Sequence, residues 1–321
     1  MTDATALLLL PRIQVQNANA VSGPLSWGFP APTAFTGFAH AIERQFTDEL
    51  KSGFDGIGIV CHSFEPQVFR PAGKRTRIFR LTRNPVGRDG APPSFVEEGR
   101  THMEVSIILA VCDYLPKRKG EQLAKEIMAA IQGMRLAGGS ILPQRSDRGT
   151  RAQWWPLDED LEGQRITFRK FRHRLLPGFA LVAREDQLAE HLEELRIDNP
   201  KATALDALLD LTRLNYEPDF PVPGDPDTQQ WGLRKKPGWL VPLPVGYAGL
   251  SDLYGPGEVA NTRDASVPFR FVESLYSLGE WVGAHRLIDP EQLLWRNISA
   301  PEKGIYRCIN RYSDTLKTST S

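Results

Sequence analysis

Leu7-Leu8-Leu9-Leu10-Pro11-Arg12-Ile13-Gln14-Val15 decides the fold. It reads as a strand, because Ile13 and Val15 alternate with polar neighbours. Asn17–Pro30 is rich in Asn, Ser, Gly and Pro and reads as a loop. Pro32 and Thr33 then suit a helix start, and Phe35, Phe38, Ala39, Ile42 and Phe46 recur at helical spacing. Strands are predicted over Ile57–Phe64 and Thr101–Cys112, a helix over Lys117–Met134, and a strand over Arg135–Pro143. The order β-α-β-β-α-β predicts an α+β protein with a ferredoxin-like, RRM-type core across residues 1–145. A basic segment punctuated by Gly and Pro, Arg70–Gly99, interrupts that core between its second and third strands.

Residues 146–321 read as an irregular α/β portion packed on the core. Phe179–Val182 suits a strand, and Glu185–Ile197 and Ala204–Leu214 suit helices. A proline-rich linker follows at 216–230. Trp239–Val245 is expected to be an edge strand, because Pro242 and Pro244 cannot donate to a ladder. Phe271–Val282 and Glu291–Trp295 look helical. Exposed aromatics at Trp154, Trp155 and Trp231 suggest a surface that a partner completes.

Composition narrows the function. Thirty-nine basic residues balance 39 acidic ones in 321, which excludes coating nucleic acid by bulk charge. Three scattered cysteines, Cys61, Cys112 and Cys308, imply neither a disulfide framework nor a zinc site, and no cofactor or metal is expected. Leu7–Leu10 is far short of the ~20 apolar residues of a membrane span. Met1–Thr5 lacks the basic residues of a secretory leader, so a cytoplasmic protein without membrane contact is expected.

The neutral total hides segregation. Pro66–Arg88 holds Arg70, Lys74, Arg75, Arg77, Arg80, Arg83 and Arg88 and no carboxylate. Gly163–Arg184 holds Arg165, Arg169, Lys170, Arg172, Arg174 and Arg184, again without acid. The compensating acid lies in Glu185–Asp227, which could face away from RNA or meet a basic partner. Acid-free arginine blocks favour a polyanion, with a solvated face as the plain alternative.

Candidate chemistry is sparse. Trp27 and Phe29 stand beside Asn17 and Asn19, where they could stack and hydrogen-bond unpaired bases or else plug the core. Gly138-Gly139-Ser140 after Arg135 could offer N–H groups to phosphate, or form a simple turn. No HExxH, G-x-S-x-G or P-loop occurs. His62 and His102 fall on neighbouring predicted strands and could act as acid and base in RNA cleavage, or be structural.

Ten stretches carry a family resemblance: Leu7–Pro11, Gln16–Ala20, Trp27–Pro30, Ala34–Phe38, Pro71–Thr76, Leu81–Pro85, Met134–Pro143, Arg174–Val182, Lys236–Pro242 and Phe271–Trp281. In order and along nearly the whole chain, they resemble the smaller tail (RAMP, Cas-five-like) subunit of the type I-F CRISPR surveillance complex. The resemblance implies a RAMP fold with a thumb β-hairpin at 70–99 and a glycine-rich loop. It also implies a non-catalytic role in antiviral DNA targeting, gripping the 5′ handle of the crRNA with the large subunit and abutting a backbone subunit. Target DNA would be met indirectly. RNA contacts are expected from Asn17, Asn19, Trp27, Arg70, Lys74, Arg75, Arg77, Arg80, Arg83, Arg135, Gly138, Gly139 and Ser140. A processing endonuclease using histidine chemistry, and a scaffold whose basic patches meet acidic proteins, are the competing readings.

Overall fold

The computed structural model describes residues 2–143, 148–218 and 231–318. In chain order, β1 (Ala6–Asn19) leads to α1 (Pro32–Glu43) and β2 (Phe54–Pro66). The excursion forms β3 (Val68–Phe69), β4 (Ile78–Phe79), β5 (Leu81–Arg83) and β6 (Phe95–Glu97). Then come β7 (Arg100–Val111), α2 (Lys117–Ala130), β8 (Arg135–Leu136) and β9 (Gly139–Ile141). The remainder supplies β10 (Gln153–Pro156), α3 (Leu161–Phe171), β11 (Phe179–Ala183), α4 (Glu185–Asp198) and α5 (Ala204–Thr212). It ends with β12 (Tyr216–Pro218), β13 (Trp231–Leu233), β14 (Leu240–Gly249), β15 (Val272–Gly283), β16 (Leu294–Ala300), β17 (Ile305–Asn310) and α6 (Tyr312–Thr318).

One antiparallel sheet runs β11-β15-β14-β17-β16-β2-β7-β1-β9-β8, with β10 added beside β1. Within it β2, β7, β1 and β9 are adjacent, α1 follows β1, and α2 follows β7. The leucine run is buried from both sides. Leu8 and Leu10 join Phe35, Ile42, Leu123 and Ile127 of α1 and α2. Leu7 and Leu9 join Phe168 and Phe171 of α3 on the other face. Strand alternation thus splits four leucines between two cores, each side chain worth about 2 kcal/mol of burial.

Several expectations change. Phe271–Val282 is the strand β15, not a helix. Phe271, Leu275, Leu278 and Val282 fall at helical spacing by coincidence, because a strand covered on both faces shows no strict alternation. Glu291–Trp295 gives one 3₁₀ turn, Pro290–Gln292, and then β16. β14 is an edge only in its first half: Pro242 and Pro244 pair with β15 alone, while β17 joins at Gly246–Ala248. Trp154 is buried, because β10 lies along β1 and the indole packs where Gly120 of α2 has no side chain. The expected linker 216–230 lies largely outside the described residues, and its first residues, as β12, pair with β13 just beyond it.

The thumb expected as one hairpin is two short ribbons, β3–β4 and β5–β6. No helix among the described residues is long and apolar enough to cross a membrane.

Candidate nucleic-acid interface

The thumb root is closely tied to the loop after β1. Gln67 N donates to Arg100 O at 2.7 Å, Arg80 N to Gln67 O at 3.1 Å, and Ala20 N to Gly99 O at 2.8 Å. A Cβ at Gly99 would stand 2.4 Å from Val21 Cγ2, so only glycine permits this approach. All seven thumb cations are exposed, and among the described residues none is ion-paired with a carboxylate. Arg70 Nε donates to Lys74 O at 2.7 Å, and the Arg83 guanidinium lies 3.9 Å from the Phe95 ring centre. The side chains of Lys74, Arg75, Arg77 and Arg80 make no hydrogen bond within the described structure, leaving their donors to solvent or a ligand.

Trp27 and Phe29, two residues apart, part company. Phe29 packs on Phe35 at 5.5 Å, Phe64 at 6.0 Å and Trp281 at 4.9 Å, so it belongs to the core. Trp27 is 48% exposed and meets Phe79 of the thumb edge-on at 5.4 Å. The loop therefore presents one aromatic ring at the thumb root.

The Asn19 side chain is occupied locally, whereas that of Asn17 is exposed and makes no hydrogen bond within the described structure. Asn17 holds φ 56° at a bulge in β1, and its N–H donates to His102 Nδ1 at 3.1 Å. Asn19 closes a turn onto Val21 through both its amide nitrogen and its carbonyl oxygen. Ala137 and Gly138 both have positive φ and form the β8–β9 turn. Arg135 Nη1 donates to Gly138 O at 3.2 Å, stapling that turn. Gly139 is there for packing: a Cβ would stand 2.7 Å from Ala18 N. Ser140 pairs across to Gln16 with its side chain exposed.

Asn19 and Gly138 do meet, in a cleft of about 560 Å³ between β1, the start of α1 and the C-terminal half. Tyr247 and Tyr306 line its far wall. They face each other across β14 and β17, and burial raises the Tyr306 hydroxyl pKa above its usual value. Sequence reasoning missed both tyrosines, because nothing local marks residues more than 100 positions from their partners in the cleft. Asn17, Trp27 and the thumb residues do not line this cleft.

The second basic block has internal work. Arg165 pairs with Asp289 at 3.3 Å, Arg172 donates to Leu287 O, and Arg184 is held between Asp186 and Glu280. Much acid from Glu185 onward is likewise spent internally, Glu185 on Arg307 and Asp210 on Arg213 and Arg234.

The histidine pair is not assembled. His62 lies between Pro177 O at 2.6 Å and Ser106 Oγ at 2.7 Å, and burial lowers its pKa. His102 lies opposite Glu65, three residues along β2 from His62, about 10 Å at 3.3 Å per residue. Burial pushes the Cys61 thiol up to about 12 and that of Cys308 to about 11, which suppresses thiolate chemistry. Among the described residues no group of three or more His, Cys, Asp or Glu could hold a metal ion.

Comparison with known proteins fixes the family. Residues 8–308 match the family model described as CRISPR-associated protein (Cas_Csy2). The chain is 51% identical over 313 residues to "CRISPR-associated protein Csy2" of Pseudomonas aeruginosa (strain UCBPP-PA14), covering 96% of each. This corrects the resemblance drawn from the sequence stretches: the match is to Csy2, and the assignment to a smaller tail, Cas-five-like subunit is withdrawn. The chain belongs to the Csy2 family of CRISPR-associated proteins.

Proposed function

We propose that this chain is a non-catalytic, guide-RNA-binding subunit of a type I-F CRISPR surveillance complex. In this reading the thumb holds the crRNA at its 5′ handle, working with the large subunit and beside a backbone subunit. The carrying observation is the set of exposed thumb cations without carboxylate partners, rooted against Trp27 and Phe79. A solvated face of this density would lose little by internal pairing, as Arg165 and Arg184 of the second basic block have done. Arginine supplies a planar fork for phosphate and a face for bases, and six of the seven cations are arginine. The adjacency of β2, β7, β1 and β9 supports a ferredoxin-like core carrying the thumb. The separation of His62 from His102 favours binding over cleavage.

The test is guide binding by the assembled complex across a salt series, with Lys74→Ala, Arg75→Ala and Arg77→Ala combined. The slope of log affinity against log salt should fall by about 2 units with the core still folded. Incubated guide RNA should keep its length in the same preparations. Unchanged slope and affinity would place the RNA elsewhere, and shortened guide would restore the nuclease reading.

A further inference from the structure

The acidic helix α4 carries Glu185, Asp186, Glu190, Glu193, Glu194 and Asp198 against Arg196 alone, and it has no buried residue. Glu185, Asp186 and Glu193 pair with Arg307, Arg184 and Arg196. Glu194 reaches only His191, and no ion pair engages Glu190 or Asp198 among the described residues. Beside it, α5 buries Leu208 and Leu211 against Leu278 and turns Leu209 outward, 51% exposed.

Beyond α5 stands the ribbon β12–β13. Its register sets Tyr216 opposite Leu233 and Pro218 opposite Trp231. Residues opposite each other, and residues two apart, share a face. One side of the ribbon is therefore wholly apolar. Tyr216, Trp231 and Leu233 are 62%, 63% and 52% exposed, and nothing among the described residues covers them.

The ribbon is held in place. Arg234 N donates to Asn215 O at 2.8 Å, and the Arg234 guanidinium pairs with Asp210 and Glu217. Asp210 also accepts from Arg213 and His191, while Lys236 Nζ donates to Asp210 O at 2.8 Å. An isolated two-stranded ribbon is marginal in water, so a fixed apolar face on one points to an occupant.

We propose that this ribbon face and the outer side of α5 dock another protein of the assembly, one presenting apolar side chains ringed by lysine and arginine. The proposal rests on the CRISPR-complex reading for where that protein is found. Glu190, Glu194 and Asp198 of α4 repel a phosphate backbone, while the cations beside the ribbon are spent internally, Arg213 and Arg234 on Asp210 and Lys236 on main-chain carbonyls, which disfavours RNA as the occupant. A symmetric pair of these chains would bring two acidic rims together, which disfavours a second copy.

The test replaces Trp231→p-benzoylphenylalanine in the full assembly, which is purified with its guide, illuminated and read by mass spectrometry. The expected adduct is with a different protein, at a segment containing lysine or arginine beside apolar residues. Glu190→Lys with Asp198→Lys should lower its yield about fivefold. An adduct with a second copy or with RNA, or no adduct from a correctly folded chain, would overturn the proposal. An assembly that holds no guide but still gives the protein adduct would sink the RNA reading and leave the docking surface standing.

Discussion

Two adjacent glycines do different work. Gly138 has φ +75° with open space around the position of a Cβ, while Gly139 has the backbone of Ala18 and Gln16 within 2.8 Å. Gly138→Ala should cost about 1 kcal/mol of left-handed strain, whereas Gly139→Ala must push β9 off β1 and should cost more than about 2 kcal/mol. Thermal melting of both variants checks the order, and equal losses would remove the packing argument. The pair Gly138-Gly139 was legible in sequence as a turn. Which of the two mattered was not, because the answer depends on a strand 120 residues away. His62 was similarly visible, as either a structural or a catalytic residue, but its partners were not, since Ser106 and Pro177 come from other segments.

At the scale of elements, the loop Asn17–Pro30 splits into a core anchor and a surface ring. Phe29→Ala should cost about 3 kcal/mol, since it touches Phe35, Phe64 and Trp281. Trp27→Ala should leave the melting temperature almost unchanged and weaken guide binding by about 1–3 kcal/mol, the worth of one stacked base. Melting and guide-binding curves on both variants separate the roles; a Trp27 variant that melts early but binds normally would make the ring structural. The first-half strands and helices were readable because each buries one regular face. β15 was not, since burial on both sides erased the period that distinguishes strand from helix. β16 and β17 gave no local signal strong enough to name them.

Across the whole molecule, β2 joins what the sequence separated at residue 145. It pairs with β7 on one edge, and on the other with β16 at Ile57–Gly58 and β11 at Val60–Cys61. A fold so continuous should melt in a single calorimetric transition, and two resolved transitions would show separable halves. Acid should weaken it in steps. Burial lowers the His62 pKa from 6.5, so the unfolded chain takes that proton first and stability falls as the pH drops below 6.5. Burial works to raise Asp55, but Arg296 and Thr2 more than offset it and hold its pKa below 3.8. A second loss therefore begins near pH 4. Calorimetry from pH 7.5 to 5 should show Tm falling, and His62→Gln should flatten that stretch.

The position of β1 has a consequence for how the chain is made. Its neighbours in the sheet are β7, β9 and β10, all synthesised later. While the ribosome adds the ~100 residues from Leu10 to Val111, at 5–20 residues per second, the four leucines wait about 5–20 s without a partner strand. During that wait Leu7–Leu10 is a sticky segment without its partner strands. Newborn chains of this protein are thus most exposed to chaperones, and to one another on the same polysome, until the thumb and the strand after it have been translated.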